Sequence, residues 1–415
     1  MAIQVWAPYT KSNGQWIANK ILQGFFGAPI ESLCEISVTD IYFQHERGTY
    51  IALYALLLAG SNFFAPIIAG FIADGQGWEW VLYWCAIFCA IGFVFLFFFM
   101  EETNYVRHTT GTPVEAQAMP TEATKNADTG NAEKPILTSG PPSLDAESTS
   151  ASTPLNPPKT YLDKVKLFQK QDLQKPLALK GMVLRPLIFL TFPVIFYAGF
   201  SYGSNLVWFN VLNATSSLIL GGTYDFSASM VGVAYVSPLI GVALGSAYTG
   251  LIGDWWVVKM ARKRGGMLES EYRLWLFAPS LVLIPFGLIL WGVGASHHIH
   301  WFGCVFAMGT IALTNTIGLQ LSVSYALDSY RALGAEAMVT VILVRNTMSF
   351  AIGYGITPWV TNMGLQNAFI TAAFVGLAQC LTFFALLKWG KGLREKSVGR
   401  YRKYVDDMAS SGMVH

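Results

Sequence analysis

Residues 78–100 read WEWVLYWCAIFCAIGFVFLFFFM, an unbroken apolar run whose one charge, Glu79, stands at its front edge. About 20 apolar residues of helix, rising 1.5 Å each, cross the hydrocarbon core of a bilayer. Lipid offers no partner to a bare backbone, so only helices and closed barrels can span it, and a barrel strand needs about half this length. The run is therefore a membrane-spanning α-helix. Working outward from it, eight further stretches meet the same criterion, at about 14–38, 48–72, 183–209, 228–254, 274–295, 299–326, 335–360 and 365–388. The expected fold class is all-α, a polytopic membrane helix bundle with about nine transmembrane helices.

Composition agrees. Only 13% of the 415 residues are charged and 53% are hydrophobic, with 13 Trp and 28 Phe. Soluble domains carry about 25% charged residues. The five cysteines, Cys34, Cys85, Cys89, Cys304 and Cys380, all fall inside apolar stretches, without the spacing of a disulfide framework or a zinc site. The cluster His297-His298-Ile299-His300 lacks a fourth ligand and reads as a solvated loop, so no metal and no other cofactor is expected. No charged segment followed by a short apolar core and a small-residue cleavage site stands at Met1, so a cleavable signal peptide is not expected.

Lys and Arg in the loops set the orientation. The tail carries Lys388, Lys391, Arg394, Lys396, Arg400, Arg402 and Lys403; the loop after the fifth stretch carries Lys259, Arg262, Lys263, Arg264 and Arg273. The approach to the fourth adds Lys164, Lys166, Lys170, Lys175, Lys180 and Arg185. All three fall on one side if the spans alternate, and the intervening loops, about 73–77, 210–227, 296–298 and 361–364, hold neither Lys nor Arg. The basic side is expected to be cytoplasmic. Asn213-Ala214-Thr215 then forms a possible glycosylation sequon on the opposite side. An odd number of spans with a cytoplasmic C-terminus also places Met1 outside, with nothing ahead of it to export it.

The expected organisation is a partial N-terminal bundle over 1–105, a disordered cytoplasmic linker over 106–160, an amphipathic juxtamembrane segment over 161–181, a C-terminal six-helix bundle over 182–390 and a cytoplasmic tail over 391–415. The linker has no aromatic residue between Tyr105 and Tyr161 and is rich in Ala, Thr, Ser and Pro, too little apolar area to offset ordering. Leu162, Val165, Phe168 and Leu173 among lysines suggest a helix lying on the membrane surface.

Several short motifs fall on these helices in a telling order. Lys20-Ile21-Leu22-Gln23-Gly24 resembles R-x-x-Q-G, with Lys for Arg, and Asp40 to Gly48, containing Arg47, resembles the loop that follows it. Gly60, Ala65-Pro66 and Ala69-Gly70 resemble G-x(4)-[GA]-P-x-x-[GA]-G; Gly250 to Asp254, followed by basic residues, resembles G-x-x-x-D. Glu271-Tyr272-Arg273-Leu274, Arg345-Asn346 and Pro358-Trp359 complete the set. In this order they resemble the major facilitator superfamily, specifically its fungal twelve-span drug:proton-antiporter-like branch. The resemblance implies transport of small organic solutes, proton-coupled, of the drug or organic-cation efflux type, by alternating access in a single chain of the plasma membrane, or alternatively of the vacuole or another internal membrane. By this alignment the nine stretches correspond to family spans four to twelve. The first three family helices then have no counterpart in the sequence, and the expectation is either that the reading frame starts late or that the chain is a truncated, non-transporting or sensor-like relic.

A charge at the bilayer centre costs about 2.5–3.5 kcal/mol on insertion scales and needs a reason. Lys20 and Glu31 lie about 20° apart in helical projection and Glu35 about 40° beyond, one stripe that either lines a cavity or ties helices together. Glu31 or Glu35 could take up a proton or bind a cation. Arg345, with Asn346, stands about eleven residues into its span, too deep to snorkel easily, facing a cavity or packed through carbonyl contacts. Asn205 and Asn315 line the path or serve as interhelical hydrogen-bond partners. Pro66 between Gly60 and Gly70 reads as a hinge or seal, and equally as tight packing. Asp254 reads as a cytoplasmic latch or an interfacial acid. An enzyme is not expected, because histidine is nearly absent from the spans; no P-loop offers ATP drive. The expected partners are the lipid bilayer, a small organic solute and protons, with no nucleic acid.

Overall fold

A computed structural model describes residues 2–30, 33–34, 37, 41, 47–100, 184, 186–263, 270–330 and 334–410. After short turns at Ala2–Trp6 and Ala7–Tyr9 come α1 (Asn13–Gly27), α2 (Arg47–Gln76), α3 (Trp78–Phe99) and α4 (Pro193–Ser216). They are followed by α5 (Ala228–Lys263), α6 (Ser270–Ser296), α7 (Trp301–Ser329), α8 (334–363) and α9 (365–410). The described residues contain no strand, in keeping with the all-α expectation. The linker 106–160 and the segment 161–181 lie outside them.

Local chemistry sets the breaks. Gly77 (φ 96°) makes the turn between α2 and α3 and Gly364 (φ 73°) the one between α8 and α9, both left-handed conformations that favour glycine. Residues 184 and 186–189 are helical, as the expected start at about 183 requires, but the helix breaks at 190–192 and Pro193 opens α4 behind an extended Phe192. Its missing N–H costs nothing in a first turn, whereas further inside it would break a bond. The helix then continues to Ser216, so Asn213 lies in its last turns and not in a loop. Tyr235 donates to Asn213 Oδ1 at 2.9 Å, while the sequon's Thr215 is buried and accepts from Trp291 Nε1 at 3.0 Å. A π-helical turn, Tyr248–Ile252, interrupts α5, and a 3-10 turn, Ser270–Phe277, opens α6.

Helix α4 is the hub of the six later helices: 17 of its 24 residues are buried, as expected of a helix surrounded on every side. Lipid gives no hydrophobic drive for one helix to join another, so close approach through small residues does that work. A Cβ at Gly241 of α5 would stand 2.1 Å from the Gly309 carbonyl of α7, and one at Gly292 of α6 would stand 2.0 Å from Phe369 of α9. Two cores result. The one toward the basic face is built on Phe189, Phe192, Tyr325 and Phe383. The one toward the opposite face is built on Trp291, Leu288, Phe369 and Leu212, and also takes in Phe63 of α2. By contrast α3 presents mostly exposed side chains, including Phe88, Ile91, Phe93 and Phe95, which is the surface of a helix that faces lipid.

The expected tail is an extension of α9, which runs on to Ser410. Arg394 grips Glu271 with two bonds, Nε to Oε1 at 2.9 Å and Nη2 to Oε2 at 2.6 Å. Tyr330 and Ser397 share a 2.7 Å hydrogen bond beside it, and Arg273 pairs with Asp328 at 2.9 Å. Three helix ends are thereby tied together on the basic face.

Candidate functional site

The seam between α2 and the later helices is built from backbone contact. A Cβ at Gly70 would fall 2.5 Å from the Ala228 carbonyl oxygen, and one at Gly232 would fall 2.8 Å from the Pro66 carbonyl oxygen. Gly70, Pro66 and Gly232 let α2 and α5 close on one another, and Phe63 meets Phe209 of α4 edge-on at 5.3 Å. Gly60 contributes less, meeting only Phe64 of its own helix. At the end of the seam away from the basic face, Asp74 lies two residues past the apolar run 48–72. It accepts from the Ala228 N–H at 3.1 Å and the Ser229 N–H at 2.8 Å, capping α5 with a carboxylate where the helix dipole favours one. The Ser229 hydroxyl and N–H, joined by Ser227 and Ala228, hold the Asp74 carboxyl below its usual range. Trp16, Trp78, Ala73, Val231 and Tyr235 line a cavity along this seam.

Deeper in the molecule, Arg345 of α8 is positioned by α4. Its Nη1 donates to the Tyr202 hydroxyl at 2.8 Å, its guanidinium lies 5.0 Å from the Tyr202 ring centroid, and its Nε donates to Asn346 Oδ1 at 3.0 Å. Gly203 admits this approach, since a Cβ there would stand 3.2 Å from the Arg345 Cα. Asn205, one turn on, is buried against Gly318 of α7 and donates to the Ser201 carbonyl at 2.8 Å. It shares a small enclosed pocket with Tyr197, Ser204 and Gln379. Asn315 is equally buried, and its Oδ1 accepts no hydrogen bond among the described residues.

On α1, Lys20 is exposed, donates to Gln23 Oε1 at 3.3 Å and lies 4.6 Å from the Trp16 ring, so two residues of the K-x-x-Q-G motif bond each other. Space beside Gly24 is open, as it is beside Gly250 in the π-turn of α5. Glu31, Glu35 and Asp40 lie outside the described residues; Arg47 opens α2, and Asp254 follows the π-turn. The structure thus brings Arg345 and Asn346 together with Tyr202 and sets Pro66 and Gly70 against α5.

Four participants escaped the sequence reading. Tyr202 and Phe63 look like ordinary aromatic residues of a span. Asp74 looks like a loop acid. The Glu271–Arg394 clamp had one visible clue, acids at the start of a span on the side of a basic tail, but nothing in the sequence pairs residues 123 positions apart.

A polytopic helical membrane protein whose first helices meet the later ones through glycine-lined backbone contact, with a half-buried arginine held by a tyrosine of the neighbouring helix within the later group, has the architecture of a secondary transporter. A family profile described as Major Facilitator Superfamily matches residues 1–347. This chain belongs to the major facilitator superfamily; it is an integral membrane transporter and not an enzyme. It is similar to an uncharacterized MFS-type transporter of Schizosaccharomyces pombe, 25% identical over 97% of this chain and 72% of the relative. It is also similar to Protein HOL1 of Saccharomyces cerevisiae, 24% identical over 94% of this chain and 72% of that protein. A probable efflux pump, mfs2, of Aspergillus flavus is 24% identical over 95% of this chain and 84% of its own length.

Proposed function

We propose that the chain carries small organic solutes, of the drug or organic-cation type, across the plasma membrane in exchange for protons, by alternating access and as a single chain. The observation that carries this reading is the α2–α5 seam. Its two sides touch through backbone at Gly70–Ala228 and Pro66–Gly232, an interface that closes tightly yet parts without breaking a helix. Asp74 and the α5 N-terminus hold it with hydrogen bonds that water can replace. Such a contact suits rocking of one helix group against another around a central site.

Arg345, fixed by Tyr202 and Asn346, is the positive charge assigned to that site, and a carboxyl brought close to it would give up its proton more readily. Glu31 and Glu35 are the carboxyls assigned to the proton, and Lys20 shares their stripe. Asn205 and Asn315 serve as polar contacts inside the later bundle. The efflux-pump relative favours export over uptake. The test is flux in proteoliposomes holding this chain, with an imposed pH gradient and a panel of organic cations. Solute movement that collapses with the gradient is expected. Absence of gradient-dependent flux for the whole panel would overturn the proposal.

A further inference from the structure

The C-terminal part of α5, Gly253–Lys263, has two faces with different surroundings. Val257 and Ala261 are buried, and Trp256 packs against the core on the basic side. Trp255, Val258, Lys259, Arg262 and Lys263, spaced as one helical stripe, point the other way and line an open groove. Trp255 is 57% exposed and Val258 46%, while Lys259 folds back so that its ammonium lies 4.2 Å from the Trp255 ring centroid. The ion pairs among the described residues, Glu271–Arg394 and Arg273–Asp328, use none of these three cations.

We infer that this stripe binds the phosphate headgroup of an anionic phospholipid in the leaflet on the basic side, with Lys259, Arg262 and Lys263 around the phosphate and Trp255 and Val258 against the upper acyl chains. Apolar and basic residues follow one another in the order a lipid presents its parts, tail first and then headgroup, where the helix leaves the hydrocarbon. A free phosphate would leave the exposed tryptophan and valine without a partner, so the lipid is the better occupant. Aromatic side chains at membrane interfaces and juxtamembrane cations on anionic leaflets supply the physics, with each such cation worth about 1 kcal/mol. This placement rests on the membrane-spanning fold and is independent of the transported solute.

The test uses the full chain in detergent micelles doped with phosphatidylserine or phosphatidylcholine, with retained lipid counted by native mass spectrometry. Preferential retention of phosphatidylserine is expected, and K259Q/R262Q/K263Q should abolish it, at about fivefold for each cation removed. The variant K396Q/R402Q/K403Q, with the same charge change on exposed tail positions, should keep the preference. If the first triple variant does not fold, K259Q alone should lower the preference about fivefold, and W255A should weaken retention of both lipids. Equal retention of the two lipids by the unmodified chain would overturn the inference. So would a preference that survives removal of the three α5 cations, or one lost equally in the tail variant. Displacement of the lipid by inorganic phosphate at comparable concentration would make the stripe a free-phosphate site and overturn it as well.

Discussion

Substituting Gly70 by alanine puts the seam to its most direct test. The added Cβ would lie 2.5 Å from the Ala228 carbonyl oxygen, whereas ordinary contact begins at 3.4 Å, so α5 must retreat by about 0.9 Å. The neighbour is backbone, not the end of a flexible side chain, and cannot swing aside. Overpacking of this kind costs about 1–3 kcal/mol. Alanine also favours the helix by up to about 1 kcal/mol, but that gain applies whether the seam is shut or parted and cancels from the equilibrium between them. The closed state should therefore lose about 1–3 kcal/mol, a 5- to 150-fold shift toward the parted state. The assay is the labelling rate of Val231→Cys, in the seam cavity, by a membrane-impermeant maleimide in a chain whose five native cysteines have been replaced. Gly75→Ala is the control: it lies on the same helix with nothing within 4 Å of its Cβ, and should leave the rate unchanged. Equal rates for G70A and the parent, or an equal rise in G75A, would refute the reasoning.

Removing either partner of the Glu271–Arg394 clamp should lower the thermal midpoint in detergent. A fully buried pair costs about 3–5 kcal/mol to break, and because the Arg394 side chain is 25% exposed the expected loss is about 2–3 kcal/mol. Trp291→Phe strips the Thr215 hydroxyl of its donor inside the core and should cost about 1 kcal/mol, read from the same unfolding curve. The carboxyl of Asp74 is held below its ordinary 3.8, so its cap on α5 is complete at neutral pH and is lost only as pH falls below that range. A spin label attached at Val231→Cys should gain mobility on such acidification, and should be mobile at every pH in D74A.

The sequence made the rods plain because lipid imposes a one-dimensional rule: length and apolarity decide, as in residues 78–100, and positive charge decides the side. It also singled out Pro66 and Gly70 on α2. What it could not supply was the other half of each contact. Gly70 acts through Ala228, Asp74 through residues 154 and 155 positions away, and Arg345 through a tyrosine 143 positions back. None of these partners carries a local signature, because a backbone carbonyl, an amide or a tyrosine ring is available everywhere along the chain. Boundaries failed for a related reason. Helices in water-facing regions end where caps and pairings end them, so α4 runs past its apolar stretch to Ser216 and α9 past its own to Ser410.

The unbroken course of α9 makes it a lever. Residues 365–410 span roughly 70 Å at 1.5 Å per residue, against about 30 Å of hydrocarbon, so the helix carries on well past the lipid, its Tyr401 and Tyr404 packed against Tyr330 and Phe189 of the later bundle. Because Arg394 bolts the arm to Glu271, a fluorophore attached near Lys403 inherits every tilt of the later bundle, magnified by distance from the pivot. Lys403 stands about 40 Å along the helix from the middle of the expected span 365–388, so ten degrees of rocking about that point would sweep such a dye through about 7 Å, a displacement that single-molecule ruler measurements can follow.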